Sequence, residues 1–200
     1  ESRETFRRAL LRDQDYDEDD ALRNRFEEEF ERQHDPLRSA SLRQAGEQIE
    51  QILRKGSLED FLRFAYRSPN LSDSERRTAY RYLGAFWNQF HQEAKAASDG
   101  RLLDIIEHED AGALVFQLVS TAQAERLEIS PLILMRDEKG WSVSPGVTTD
   151  GNFVELDEVR QRQQAEVRRL FEDQRENLAE RATADLRQRF GKAAAAEGAV

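Results

Sequence analysis

The stretch Gly100–Val143, GRLLDIIEHEDAGALVFQLVSTAQAERLEISPLILMRDEKGWSV, decides the fold. Its period is close to two. Leu103, Ile105 and Glu107 alternate with Leu102, Asp104 and Ile106, the spacing of a strand with one face buried. Asp110-Ala111-Gly112 supplies a turn, and Ala113–Thr121 is apolar and rich in strand formers. Arg126–Arg136 continues in the same manner, with Pro131 marking a sheet edge or a bulge because proline cannot donate to a ladder. Asp137-Glu138-Lys139-Gly140 is a second turn, followed by Trp141-Ser142-Val143. Four short strands joined by tight turns predict an antiparallel meander.

Working towards the N-terminus, the period changes to that of helices. Ser57-Leu58-Glu59-Asp60 has the form of a capping box. The helix it opens has Leu58, Phe61, Leu62 and Ala65 on one face and ends at Ser68-Pro69-Asn70. Ser72-Asp73-Ser74-Glu75 is a second such box. It opens an aromatic helix over 74–97, in which Tyr80, Leu83, Trp87, Phe90 and Ala94 form a stripe flanked by Tyr82 and Phe86. Two helices on a meander define an α+β core domain over residues 57–146. Residues 1–55 read as acidic N-terminal helices, with Leu22, Phe26 and Phe30 at four-residue steps. Asp35-Pro36 predicts a helix start, and the helix ends at Lys55-Gly56.

On the C-terminal side, Leu156–Phe190 contains neither proline nor glycine. It predicts a helix of ~50 Å over 155–190, at 1.5 Å per residue. Leu156, Val167 and Leu178 are 11 apart, a spacing that keeps an apolar seam nearly straight. Glu158/Arg162 and Asp185/Arg189 are acid-before-base pairs that support a solvated helix face. Residues 191–200 read as a frayed tail. The fold class expected is therefore α+β: helices packed on a four-stranded antiparallel meander sheet, with N-terminal helices and a long C-terminal helix.

Composition narrows the function. The 200 residues carry a net charge of −10 and no cysteine, which excludes a disulfide framework and thiolate metal sites. No run approaches the ~18 apolar residues of a membrane span, so the chain reads as a soluble domain. Its acidity argues against a nucleic-acid partner. The charge is uneven: residues 1–60 and 101–155 each carry −6, residues 61–100 carry +2, and residues 156–200 balance to zero. Arginine outnumbers lysine 26 to 4, the composition of a GC-rich bacterial genome. A chain beginning at Glu1 without methionine, and lacking cysteine, is compatible with a bacterial extracytoplasmic protein whose signal peptide or anchor precedes it.

Chemical motifs are sparse. The acidic run Asp13–Asp20 lacks the glycine and the twelfth-position acid of a calcium loop and reads as a solvated linker. His34, His91 and His108 fall in separate elements without metal-ligand spacing. There is no phosphate loop, nucleophile elbow, zinc-protease motif or dinucleotide fingerprint. No metal and no cofactor are expected, and no enzyme class is supported.

Within 57–146, the helix Ser57–Tyr66, a second helix and a meander ending Leu132–Val143 resemble the nuclear-transport-factor-like, or cystatin-like, α+β superfamily. An apolar strand, a charged turn with glycine, then tryptophan and a short strand look like the final hairpin of many bacterial members. The resemblance implies a sheet that curls around a helix into a cone, used by some members for ligands or catalysis and by others for protein association.

Two readings follow. The first is a non-catalytic interaction or scaffold module, meeting a protein partner or a second copy through the 155–190 helix. The alternative is a small-molecule-binding or enzymatic domain with a pocket between the aromatic helix and the sheet. Tyr80, Trp87, His91 and Asp104 are the candidate ligand-binding residues of that pocket.

Overall fold

The computed structural model describes residues 28–65, 80, 83–88, 101–120, 126–144 and 158–190. It is α+β. Helix α1 spans Leu42–Lys55, the short α2 spans Leu58–Leu62, and α3 spans Glu158–Phe190. Residues 28–33 and 83–88 are also helical. The strands are β1 (Arg101–His108), β2 (Ala111–Ser120), β3 (Arg126–Asp137) and β4 (Gly140–Val143). They form one antiparallel sheet in the order β1-β2-β3-β4, the expected meander. The acidic run 13–20, the second capping box and the tail from 191 lie outside the described residues.

Asp35-Pro36 does not start a helix. Residues 35–38 are irregular, and Ser41 caps α1, its side chain accepting from the Gln44 amide at 3.2 Å. The segment before that cap has another use for its backbone. Ser39 bridges Trp141, which donates its amide to the Ser39 carbonyl at 2.8 Å. On the same outer edge of β4, Val143 donates to the Phe64 carbonyl at 2.7 Å. The exposed donors and acceptors of an edge strand are thereby covered.

The helix at Ser57 is also shorter than its apolar pattern implied. The capping box is present: the Asp60 amide donates to Ser57 Oγ and the Ser57 amide to Asp60 Oδ2, each at 3.1 Å. After one further turn the chain leaves the helix so that Ala65 can pair with Val143. Helix α2 is only five residues long, and so short a helix depends on its cap. Ser57→Ala is expected to cost about 1 kcal/mol, within a range of about 0.5–2, read as a lower urea midpoint at unchanged m-value.

The sheet is covered on both faces. On one face Leu114, Phe116, Leu132, Leu134, Trp141 and Val143 pack with Leu42, Ala45, Ile49 and Leu53 of α1, with Leu58, Phe61 and Leu62 of α2, and with Leu83, Phe86 and Trp87. Gly46 permits the close approach of α1, since a Cβ there would stand 2.7 Å from Leu102 Cδ2. On the other face Ile106, Ala111, Ala113, Val115, Ile133 and Met135 pack with Val167, Phe171 and Leu178 of α3. The long helix is thus the outer layer of its own fold. Its seam stays narrow and interrupted, because Glu172–Asn177 are all exposed between Phe171 and Leu178. Pro131 lies opposite Val115 of β2, beyond the stretch of β3 that pairs with β4. Among the described residues β3 is an edge at that point, as a proline requires.

Candidate functional site

Strand β1 contains a bulge. Leu102 is opposite Phe116 and Asp104 is opposite Val115, leaving Leu103 as the extra residue. Strict alternation groups Asp104 with Leu102 and Ile106. The bulge shifts that phase, so Leu102 and Ile105 pack on the α1 face while Leu103 and Ile106 pack beneath α3. Asp104 turns towards α3 and accepts a hydrogen bond from the Arg181 guanidinium.

The four residues of the sequence-derived pocket are therefore not brought together. Tyr80 and Trp87 lie in the core on the opposite face of the sheet. Tyr80 is buried, donates its hydroxyl to Glu31 Oε1 at 3.0 Å, and meets Phe30 edge-on with ring centroids 6.0 Å apart. Trp87 lies 5.7 Å from Phe61, and Phe86 bridges Phe61 and Phe116 at 5.9 Å to each. Those distances are ordinary for aromatic pairs in a packed core. His91 lies outside the described residues.

The other histidines have modest settings. His34 stacks on Phe30 at 4.5 Å, its ring nitrogen 3.1 Å from the Phe30 carbonyl. His108 ends β1. Among the described residues there is no group of three or more side chains able to hold a metal ion.

Two surfaces carry chemistry, of which alternation and spacing singled out only the second. The first is a cleft of about 300 Å³ beside α3, where β1 begins. It is lined by Arg101, Leu102, Leu103, Gln117, Arg181 and Asp185. Arg101 and Gln117 are directly opposite in the β1–β2 ladder and share a face. Arg181 and Asp185 are one turn apart on α3. Arg181 is held from two sides, by the Asp104 carboxylate and by the Leu103 carbonyl at 3.3 Å. Gln117 is 1% exposed, and its amide nitrogen has no hydrogen-bond partner. The signal in the sequence was a single amide inside the apolar run Ala113–Val119.

The second surface is the outward face of α3. Arg162 pairs with Glu158 at 3.3 Å and Arg175 with Glu172 at 3.2 Å. Arg169 binds Glu166 through Nε and Nη2, at 3.0 and 2.5 Å, and Asp173 through Nη1 at 2.6 Å. The hydrogen bond from Arg169 holds the Glu166 carboxyl below its usual range, and Arg169 and His108 add favourable charge. Glu166 is thus more acidic folded than unfolded. Its contribution to stability is present near neutral pH and fades as pH falls through the folded value. This surface lies in water, so that contribution is small.

Comparison with known protein families, characterised proteins and solved structures gives no match to this chain.

Proposed function

We propose that the chain is a non-catalytic interaction module built on a nuclear-transport-factor-like α+β body, and that it associates with a second copy of itself through the outward face of α3. The observation that carries this reading is the division of labour along α3. Its buried positions Val167, Phe171, Leu178 and Ala182 pack against its own sheet, and its outward positions form a ladder of alternating acids and arginines. A chain with net charge −10 repels its copies over most of its surface. The segment from residue 156 onward balances to zero, so this face carries the least repulsion. Two such ladders related by a twofold axis set arginines against carboxylates, the self-complementarity an isologous contact requires.

The meander and the aromatic core support the superfamily reading, because four strands in sequence order carry helices packed on one face. Helix α3 on the other face is an addition to that plan.

Sedimentation velocity across protein and salt concentration tests the proposal. The expected result is a weight-average mass above the 23.2 kDa monomer at low salt, falling towards it as the salt rises to about 1 M and screening shortens to about 3 Å. Arg169→Glu combined with Arg175→Glu is expected to abolish association while leaving the fold intact. A chain that stays monomeric at every salt concentration would refute the proposal.

A further inference from the structure

Strand β3 has 12 residues and its outer neighbour β4 only 4, so part of β3 has no strand beside it. The ladder identifies the groups left over. Ser144 donates its amide to the Ile133 carbonyl, whereas the Arg136 amide turns the other way, to the Asp110 carbonyl. Odd-numbered residues of β3 therefore direct their N–H and C=O outward, and even-numbered ones direct them to β2. Beyond Ile133 the outward groups are the C=O of Pro131 and the N–H and C=O of Ile129 and Leu127. Among the described residues no backbone group pairs with them. We propose that this open edge takes an extended peptide of another protein as an added strand, and that an Asp or Glu side chain of the peptide pairs with Arg168.

The first support is the contrast with the other outer edges. On β4, Trp141 and Val143 are bridged by Ser39 and Phe64. At the bulged end of β1, Asp104 accepts from the Ile105 amide at 2.8 Å and Arg181 donates to the Leu103 carbonyl at 3.3 Å. An edge without such cover is a template for pairing. Pro131 sets one end of it, because it offers the incoming strand an acceptor and no donor.

The second support is Arg168. Helix α3 runs in the direction of β4, since Gln163 meets Glu109 at the far end of β1 and Arg181 meets Asp104 near its start. Gln164 donates to Ser144 Oγ, and Arg168 is one turn further along the same side of the helix. Arg168 therefore stands past the end of β4, at the level of Pro131. It is half-buried, and its Nε is buried without an acceptor. Arg162, Arg169 and Arg175 of the same helix each hold a carboxylate, but among the described residues Arg168 holds none. A carboxylate carried in by the peptide supplies that counter-ion.

The third support is the face on which these groups meet. Ile129 packs on the α3 side of the sheet, partly buried. Residues opposite each other in a ladder share a face. The peptide residue opposite Pro131 thus reaches Arg168, and the one opposite Ile129, two positions away, packs on its side chain. The peptide chemistry is an acid and an aliphatic residue two apart, among strand formers and without proline.

The test uses the full chain. In the free protein the Leu127 and Ile129 amides are expected to exchange rapidly with deuterium, and those of Glu128 and Ser130 slowly. Hexapeptides selected from a random displayed library are expected to carry the acid and the aliphatic residue two apart. The synthetic consensus peptide, blocked at both ends, should slow exchange at Leu127 and Ile129. Replacing its acid by the amide is expected to weaken binding about fivefold, the size of an exposed ion pair. In Arg168→Gln the two peptides should bind alike. Ile129→Pro removes an outward N–H without touching the β2 ladder and should abolish binding. Protection of Leu127 and Ile129 in the free chain would overturn the proposal, because the edge would then be occupied by the chain itself or, where protection grows with protein concentration, by a second copy. Failure of the library to yield a binder overturns it too, as does equal binding of the acid and amide peptides to the parent, or undiminished binding to Ile129→Pro.

Discussion

Phe171→Ala is expected to lower the unfolding free energy by about 3–5 kcal/mol, the usual range for emptying a buried phenylalanine site. Phe171 is 4% exposed and packs in the cluster of Ile106, Ala113, Val115, Ile133 and Val167. Truncation removes the ring from that layer and leaves a cavity between a helix and a sheet, neither of which can close it without shifting register. A domain of this size is commonly stable by only about 5–15 kcal/mol, so the loss is a large part of the whole. Val159, on the same helix but 61% exposed, provides the contrast. Val159→Ala should change stability by less than about 0.5 kcal/mol. Urea titration of the two variants measures the difference. Were α3 an undocked arm, the two substitutions would have the same small effect.

Gly140→Ala is expected to be comparably damaging for a different reason. Gly140 opens β4 with φ of +118°, a region that residues with a Cβ avoid at a cost of about 1–3 kcal/mol. The space is closed as well. A Cβ at residue 140 would stand 2.5 Å from the Ser39 carbonyl oxygen and 3.2 Å from the Ser39 carbonyl carbon. Both belong to backbone and cannot swing aside like a side chain. Relief requires Ser39 to move, which breaks the 2.8 Å hydrogen bond from Trp141 and uncovers the edge of β4. Trp141 sits in the α1-face core, so the disturbance reaches the packing. The expected result is a Tm lowered by several degrees or more, at about 2–4 °C per kcal/mol, with added aggregation from the exposed edge. An unchanged Tm would show that the β3–β4 turn and its bridge to Ser39 contribute little.

The sheet was legible because its signals are local. Alternation, turn residues between the strands and the placement of Pro131 all depend on neighbours within a few residues. The Ser57 cap was legible for the same reason. Where backbone partners come from far along the chain, the local reading failed. Asp35-Pro36 has the chemistry of a helix start, yet Ser39 is claimed by Trp141, about a hundred residues later. Helix α2 ends early because Val143 takes the Phe64 carbonyl.

The candidate site was less legible than the fold. Asp104 keeps the phase of Ile106, on the face opposite Tyr80 and Trp87, while the bulge before it moves Leu102 to the other face, and alternation carries no mark of that insertion. The 11-residue spacing of Val167 and Leu178 revealed an apolar seam in α3, but nothing in α3 itself specifies that the seam meets its own sheet rather than another chain. The decision lies in β1–β3, whose second face offers Ile106, Ala113, Val115, Ile133 and Met135 for burial.

That docking determines which surface α3 leaves for partners and which residues enclose the cleft. Native-state hydrogen exchange on the full chain tests it most directly. The α3 amides from Val167 to Ala182 are expected to open with the same free energy as Leu114–Phe116 of β2, because helix and sheet share one core and open together. Rapid exchange across α3 while β2 stays protected would contradict it.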